Sequence, residues 1–356
     1  MRIGFCGDIM PGGVLPYQPE YISVKLKKYL QGFDIRVGTL ECAIGNGLAF
    51  DEAKMAGRQN IIYARNEDLF RIKDLDFTVV SLANNHVFDL GEQGLLNTMK
   101  QLTNNGIQYC GAGKNAEEAS LPAVVNMQGV KIAFLAYCTY GFGHWQTIPI
   151  ATPHRAGINP LDMEKVEKDI IECKRQFDKV FVLPHWGQEY TGIPTRNCIL
   201  MGKKMIEAGA DGVFGSHSHH IQPLISYKHK PICFSMGNFM FPDFYIQSPR
   251  PIYYPEANAD LIRFKDIYDY PFPIEENVRR VWPVSSRIGS LIDVGLFPDK
   301  KVKQTYIILS ENNIIENYDA PQKCKMSQYI NGLSIKHKTV NILIRLKNKI
   351  LNERVD

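Results

Sequence analysis

Gly215-Ser216-His217-Ser218-His219-His220 follows directly on the short apolar run 212–214. It places three of the nine histidines of a 356-residue chain within four positions. An apolar run bounded by turn-forming residues reads as a buried strand. In extended backbone alternate side chains share a face, so His217 and His219 are expected to address one site. Neutral imidazole is the commonest side-chain ligand for transition metals. A polar turn rich in histidine by chance accounts poorly for such clustering at a strand end.

The same pattern recurs on either side. Runs 2–6, 36–40, 77–82, 180–183 and 232–235 read as strands, and each ends in polar residues. These are Gly7-Asp8, Glu41, Asn84-Asn85-His86, Pro184-His185 and Met236-Gly237-Asn238. Segments 92–104, 161–176 and 197–208 have helical character, two of them closing at Asn104-Asn105-Gly106 and at Gly209. Strands alternating with helices imply an α/β protein, and such folds keep their sites at the carboxyl ends of strands. Taken singly, a strand-end Asp or Asn forms a turn and a lone His is a core residue. Together they supply two carboxylates, an amide and several imidazoles, a mixture suited to two divalent cations sharing a carboxylate.

Composition bounds the rest. With 45% hydrophobic and 22% charged residues the chain is of ordinary globular type, and a net charge of +4 is too small to imply nucleic-acid binding. That charge is concentrated at the end: 321–356 carries eight Lys or Arg against Glu353 and Asp356, so the remainder is slightly acidic. The eight cysteines form no C-x-x-C pair, and no leader or long apolar span is visible, which together predict a reduced, cytoplasmic protein. Segment 242–285 is rich in Pro, Tyr and Arg and reads as a long excursion or lid. Its Arg250, Arg263, Arg279 and Arg280, with Arg287 just beyond it, are candidates for contact with an anionic substrate, or plain surface. Runs 289–296 and 302–309 return to strand character. In the tail, Val340, Leu343, Ile344, Ile350 and Leu351 lie at helical spacing among basic residues. Such a helix docks on its own domain or, less simply, makes peripheral contact with an anionic membrane.

The ordered set Gly7-Asp8-Ile9-Met10, Leu40-Glu41, Ala83-Asn84-Asn85-His86-Val87-Phe88-Asp89-Leu90-Gly91, Pro184-His185-Trp186-Gly187-Gln188-Glu189-Tyr190, Ala208-Gly209-Ala210-Asp211, Gly215-Ser216-His217-Ser218-His219 and Ser235-Met236-Gly237-Asn238-Phe239 resembles the CapA family of poly-γ-glutamate capsule biosynthesis proteins. That family is itself similar to calcineurin-like metallophosphoesterases. The resemblance covers roughly residues 1–245 and extends to the strands before 319. It implies one domain over 1–319, a four-layer αββα sandwich, followed by a basic tail over 320–356.

The resemblance also implies roles. Asp8 and His219 would hold a first metal, Asn85, His185 and His217 a second, and Glu41 would bridge them. One or two divalent ions are implied, of the Mn, Fe or Zn kind. His86 would assist the leaving group, oriented by Asp89, and Asn84, Glu189 and Arg250 are the expected substrate contacts. The implied activity is hydrolysis of a phosphoester, or of an amide or ester in an anionic polymer, alongside capsule or exopolymer synthesis machinery. The alternative is a non-catalytic accessory protein that binds an anionic polymer or precursor in the same cleft. Three positions depart from the related patterns. Met10 stands where phosphoesterases carry the histidine of Asp-x-His, Glu41 replaces their bridging aspartate, and Cys198 falls where CapA-like proteins often carry glutamine.

Overall fold

Strand β1 (Arg2–Ile9) is buried over nearly its whole length, and its change of partners organises the molecule. The computed structural model describes residues 1–45, 62–140, 148–247, 277–297 and 301–317. Counting only the strands of the two principal sheets, β2 is Ile35–Leu40, β3 Val79–Ser81, β4 Gln108–Cys110, β5 Ala123–Met127, β6 Val130–Cys138 and β7 Lys179–His185. The series continues with β8 Gly212–Phe214, β9 Leu224–Tyr227, β10 Lys230–Cys233, β11 Asn238–Met240, β12 Ile288–Gly295, β13 Val302–Leu309 and β14 Ile315–Asn317. The first sheet runs β14-β13-β12-β1-β2-β3-β4, with β11 also on β1, and the second runs β9-β10-β8-β7-β6-β5.

The sheets face each other across aromatic residues. Phe5 of β1 stacks on Phe214 of β8 at 3.7 Å between ring centroids and meets Phe181 of β7 edge-on at 5.2 Å. Burying a ring of this size contributes roughly 2–3 kcal/mol. Strands β6 and β7 are apolar on both faces. Phe134, Ala136, Phe181 and Leu183 point to the inter-sheet core, while Leu135, Tyr137, Val180 and Val182 meet a second cluster. That cluster includes Val166 and Ile170 of one helix and Met205 and Ile206 of another. The four longer helices are α1 (Val24–Leu30), α2 (Gly91–Asn104), α3 (Met163–Gln176) and α4 (Arg196–Glu207). Ser23, Asp162 and Thr195 cap α1, α3 and α4 by accepting from backbone N–H groups three residues on. Helices α3 and α4 cover the second sheet, and α1 and α2 pack with the first, which makes the four layers that the resemblance implied. No helix among the described residues is long and apolar enough to cross a membrane.

Most expected elements appear with shifted ends. Strand β1 continues through Ile9 and β7 through His185, so Asp8 and His185 lie inside strands rather than after them. The β5–β6 hairpin was not anticipated. Its two-residue turn places Gln128 and Gly129 at φ of 51° and 79°, the conformation of a tight hairpin turn. Strands β12 to β14 complete the first sheet from the far end of the chain.

The expected excursion is closed at its base by Phe244–Gln247 pairing antiparallel with Asn277–Arg280. Arg250, Arg263 and the tail 320–356 lie outside the described residues. Arg287 is engaged by the protein itself. It is buried, its Nη2 donates to Asp243 Oδ1 at 2.6 Å, and its other nitrogens donate to the Trp282 and Ser310 carbonyls.

Along β1, residues Arg2–Phe5 pair antiparallel with β12, whereas Asp8 and Ile9 pair in parallel with Asn238 and Met240 of β11. The exchange happens at Gly7, where a Cβ would stand 1.7 Å from the Gly237 carbonyl oxygen. Only a residue without a Cβ permits that approach. Gly7→Ala is therefore expected to lower the unfolding free energy by about 3 kcal/mol, the upper end of overpacking costs. Urea denaturation checks this, and an unchanged midpoint would contradict the close approach.

Candidate metal centre

The carboxyl ends of β1, β2 and β7, with the loops after β3 and β8, bring the predicted ligands together. Asp8, Glu41 and His185 are each 0% exposed, and His217, His219 and Asn85 are buried beside them. Two groups of candidate ligand atoms form, each with all its atoms within 4.8 Å of one another: Glu41, His185 and His217, and Asp8, Glu41 and His219. Glu41 belongs to both. Asn85 Oδ1 joins the first group, 2.8 Å from His185 Nε2, which is itself 3.4 Å from Glu41 Oε1.

The way His217 and His219 converge differs from the sequence expectation. The segment is not extended: His217 has φ of 95° and His219 of 51°. Such backbone is costly for residues other than glycine and concentrates at functional sites. Left-handed bends, not strand alternation, aim the two imidazoles inward. The His217 N–H donates to Asp8 Oδ2 at 3.2 Å, tying the bend to β1.

Neighbouring groups orient the rings. His219 Nδ1 donates to Asn238 Oδ1 at 2.9 Å, which leaves Nε2 for the side where Glu41 Oε1 lies 3.8 Å away. Asn238 is held in turn by donating from Nδ2 to the Ser286 carbonyl. Asn238 lies in a sequence motif that gives it no role; its pairing opposite Asp8 across β1 and β11 appears only in three dimensions. Trp282 was likewise missed. It is buried with its ring 4.9 Å from His219, and Phe241 closes the same side at 5.4 Å.

The remaining predicted residues fall into two kinds. His86 and Asp89 form a pair, with His86 Nδ1 2.7 Å from Asp89 Oδ2, which also accepts the Ile62 N–H at 2.7 Å. Asn84 is buried and engaged by the chain itself. Its Oδ1 accepts the N–H groups of His86 and Val87, and its Nδ2 donates to the Leu40 carbonyl. Its geometry is that of a brace for the loop. Glu189, 28% exposed on its side chain, places Oε1 3.9 Å from His217 Nε2. The neighbouring Tyr190 is 44% exposed, with its ring 5.9 Å from His219. Met10 is buried in the apolar core, and Cys198 is buried beside its helix cap Thr195.

The electrostatics fit a cation. Asp8 Oδ1 and both Glu41 oxygens are buried without a hydrogen-bond partner. Burial pushes the Asp8 carboxyl up to about 7, against the lowering effect of the His217 N–H and of the neighbouring Glu41 and Ser216 side chains. Burial also drives Glu41 well above its usual range, reinforced by the charges of Asp8, Glu189 and Asp89. Divalent cations invert this local logic, since they favour the ionised carboxylates. Carboxylate, imidazole and amide donors in one cleft suit a first-row divalent metal.

Known proteins share this arrangement of sequence. The family model described as "Bacterial capsule synthesis protein PGA_cap" matches residues 2–243. The chain is 31% identical over 243 residues to the capsule biosynthesis protein CapA of Bacillus anthracis, covering 66% of this chain and 58% of that one. It is 32% identical over 251 residues to the PGA biosynthesis protein CapA of Bacillus subtilis (strain 168), covering 68% and 63%. The chain thus spans about three fifths of the length of these curated relatives. A solved structure of a hypothetical protein from Thermus thermophilus superposes with a TM-score of 0.50 at 12% identity, over 86% of this chain and 98% of that one. That likeness concerns the fold alone.

The raised Asp8 pKa predicts how the metal-free protein responds to pH. Between the ordinary aspartate value of 3.8 and about 7 the folded state holds a proton that the unfolded chain releases. This contribution therefore weakens the metal-free fold as pH rises through that window. Asp8→Asn removes it, so the variant should gain stability over the wild type at pH 7 more than at pH 4, while losing stabilisation by added divalent ion. Urea midpoints of both proteins at the two pH values, with and without the ion, measure this. Parallel pH profiles would refute it.

Proposed function

The chain belongs to the family of the bacterial capsule synthesis protein PGA_cap, and from that premise we propose that it is a divalent-metal-dependent hydrolase. Its substrate on this reading is a phosphoester, or an amide or ester of an anionic polymer, handled during capsule or exopolymer formation. The observation that carries the reading is the buried convergence of two ligand groups on Glu41. Glu41, His185 and His217 with Asn85 would hold one ion, of the Mn, Fe or Zn kind, and Asp8, Glu41 and His219 would hold the other. Divalent cations bound there lower the pKa of water and offset negative charge developing on the substrate.

The protein's own groups supply the rest. His86 has Nδ1 committed to Asp89, which fixes the ring and leaves Nε2 to deliver a proton to the leaving oxygen or nitrogen. Glu189 and Tyr190 stand partly exposed beside His217 and His219, where a bound substrate would meet them. Trp282 and Phe241 form an apolar wall against His219 that keeps water from that ring's flank.

A second reading is an accessory role in which the same cleft binds an anionic polymer without cleaving it. Met10 favours it. Because that side chain is buried in the core, the Asp8 group offers one fewer ligand than the resemblance to phosphoesterases implies.

The two readings separate on one variant. With manganese and a generic phosphodiester, the wild type should turn over repeatedly, and Asp8→Ala and His217→Ala should lose both metal and activity. His86→Ala should retain its metal while kcat falls by about 10²–10⁴, the usual contribution of general acid catalysis. Tight polymer binding without turnover, unaffected by His86→Ala, would instead establish the accessory role. Metal content and activity both unchanged in Asp8→Ala and His217→Ala would refute the hydrolase.

A further inference from the structure

Ser216 sits where the two ligand groups meet. It is buried, and its Oγ lies 2.8 Å from His185 Nδ1 and accepts from Thr39 Oγ1 at 3.2 Å. Asp8 is the neighbour on its remaining side, where the hydroxyl helps to hold the carboxyl down against the larger effect of burial. His185 Nδ1 and Asp8 Oδ1 are 4.0 Å apart, so the serine bridges a gap that they do not close directly. Its backbone is pinned to the end of β7, with the Ser216 N–H donating to the Pro184 carbonyl at 3.1 Å.

A serine hydroxyl has one proton to give and two lone pairs to receive with. For His185 to present a bare Nε2 to a cation beside Asn85 Oδ1 and Glu41, its ring proton must sit on Nδ1. That proton goes to the first Ser216 lone pair, and the Thr39 hydroxyl takes the second. The single Ser216 proton is then left for Asp8. Each partner forces the next: the Thr39 donor keeps Ser216 from turning its proton toward Thr39, and the His185 N–H keeps it from turning there.

Resting on the metal-site reading above, we infer that Ser216 is a positioning residue that couples the two metal positions. It holds the His185 tautomer in one group and the Asp8 carboxylate in the other. Thr39 sets the direction of its hydroxyl. In the sequence Ser216 is only part of the histidine motif and Thr39 only part of a strand, because neither is a ligand type.

The test is titration of the metal-free protein with manganese by calorimetry, together with ¹⁵N-histidine spectra of the zinc-loaded protein. The wild type should take two ions, and the spectra should place the His185 proton on Nδ1. Ser216→Ala should weaken both ions about ten- to hundred-fold, the usual effect of removing a group that orients a ligand. Thr39→Val keeps the shape of the side chain and should weaken both several-fold. Should Ser216→Ala fail to fold, the valine variant and the wild-type spectra decide alone. A His185 proton on Nε2, variants that bind like the wild type, loss at one ion only, or a wild type that takes a single ion would each overturn the coupling. A wild type that binds no ion would overturn the metal-site reading itself.

Discussion

Two buried carboxylates, short of hydrogen-bond donors, occupy the middle of this protein. Asp8 and Glu41 are completely buried, and three of their four oxygens have no hydrogen-bond partner. Taking an ionised carboxylate out of water costs several kcal/mol even after the protein relaxes, and placing a second beside it adds repulsion. A fold selected for stability alone would fill this space with apolar side chains. The imidazoles of His185, His217 and His219 surround the pair, and the protein holds them there with strained backbone at two of the three. The arrangement makes physical sense as a cradle for positive charge.

The sandwich exists to keep that cradle rigid. Asp8 and Glu41 end adjacent parallel strands, with the Glu41 N–H donating to the Ile9 carbonyl, so their separation is set by sheet geometry and not by flexible loops. The opposite sheet delivers His185 at the end of β7 and the histidine loop after β8, and the stacked phenylalanines fix the spacing between the sheets. Trp282, Arg287 and Asn313, beyond the stretch matched by the family model, add to the same site. The buried Asp243–Arg287 pair and Asn313 secure the chain around Trp282, whose N–H donates to Asp243 and whose ring lies against His219.

The residues that converge in the candidate site were legible in the sequence because polar residues at the ends of apolar runs have few structural uses in an α/β fold. Asp8, Glu41, Asn85 and His185 stand out for that reason, and the family resemblance sorted them into two groups. The geometry behind His217 and His219 was not legible. Nothing in Gly-Ser-His-Ser-His-His announces positive φ at histidine, and the expectation of an extended segment reached the right convergence by the wrong path. The β5–β6 hairpin was overlooked because Gln128-Gly129 is a weaker turn signal than Asn-Gly, and no polar motif follows β5 to draw the eye. Asn238, Ser216, Thr39 and Trp282 act only through contacts with chain segments far from them in sequence. Such roles leave no local pattern, whereas Arg287, which composition marked as a candidate anion contact, is committed to Asp243.

The pairing of β1 with β12 has a consequence for how the protein comes into being. Arg2 to Phe5 lie opposite Ile292 to Gly295, so this stretch of β1 must wait for a partner made much later in the chain. Contacts of such long sequence separation close slowly, since loop entropy is lost before the pairing can reward it. During synthesis, at about 5–20 residues per second, β1 leaves the ribosome well before its antiparallel neighbour. Until that neighbour arrives, the Arg2–Phe5 half of β1 is an open edge, although Asp8 and Ile9 can already pair with β11. The strand that carries Asp8 into the site is therefore flanked along its whole length only once the chain beyond Ile288 has been made.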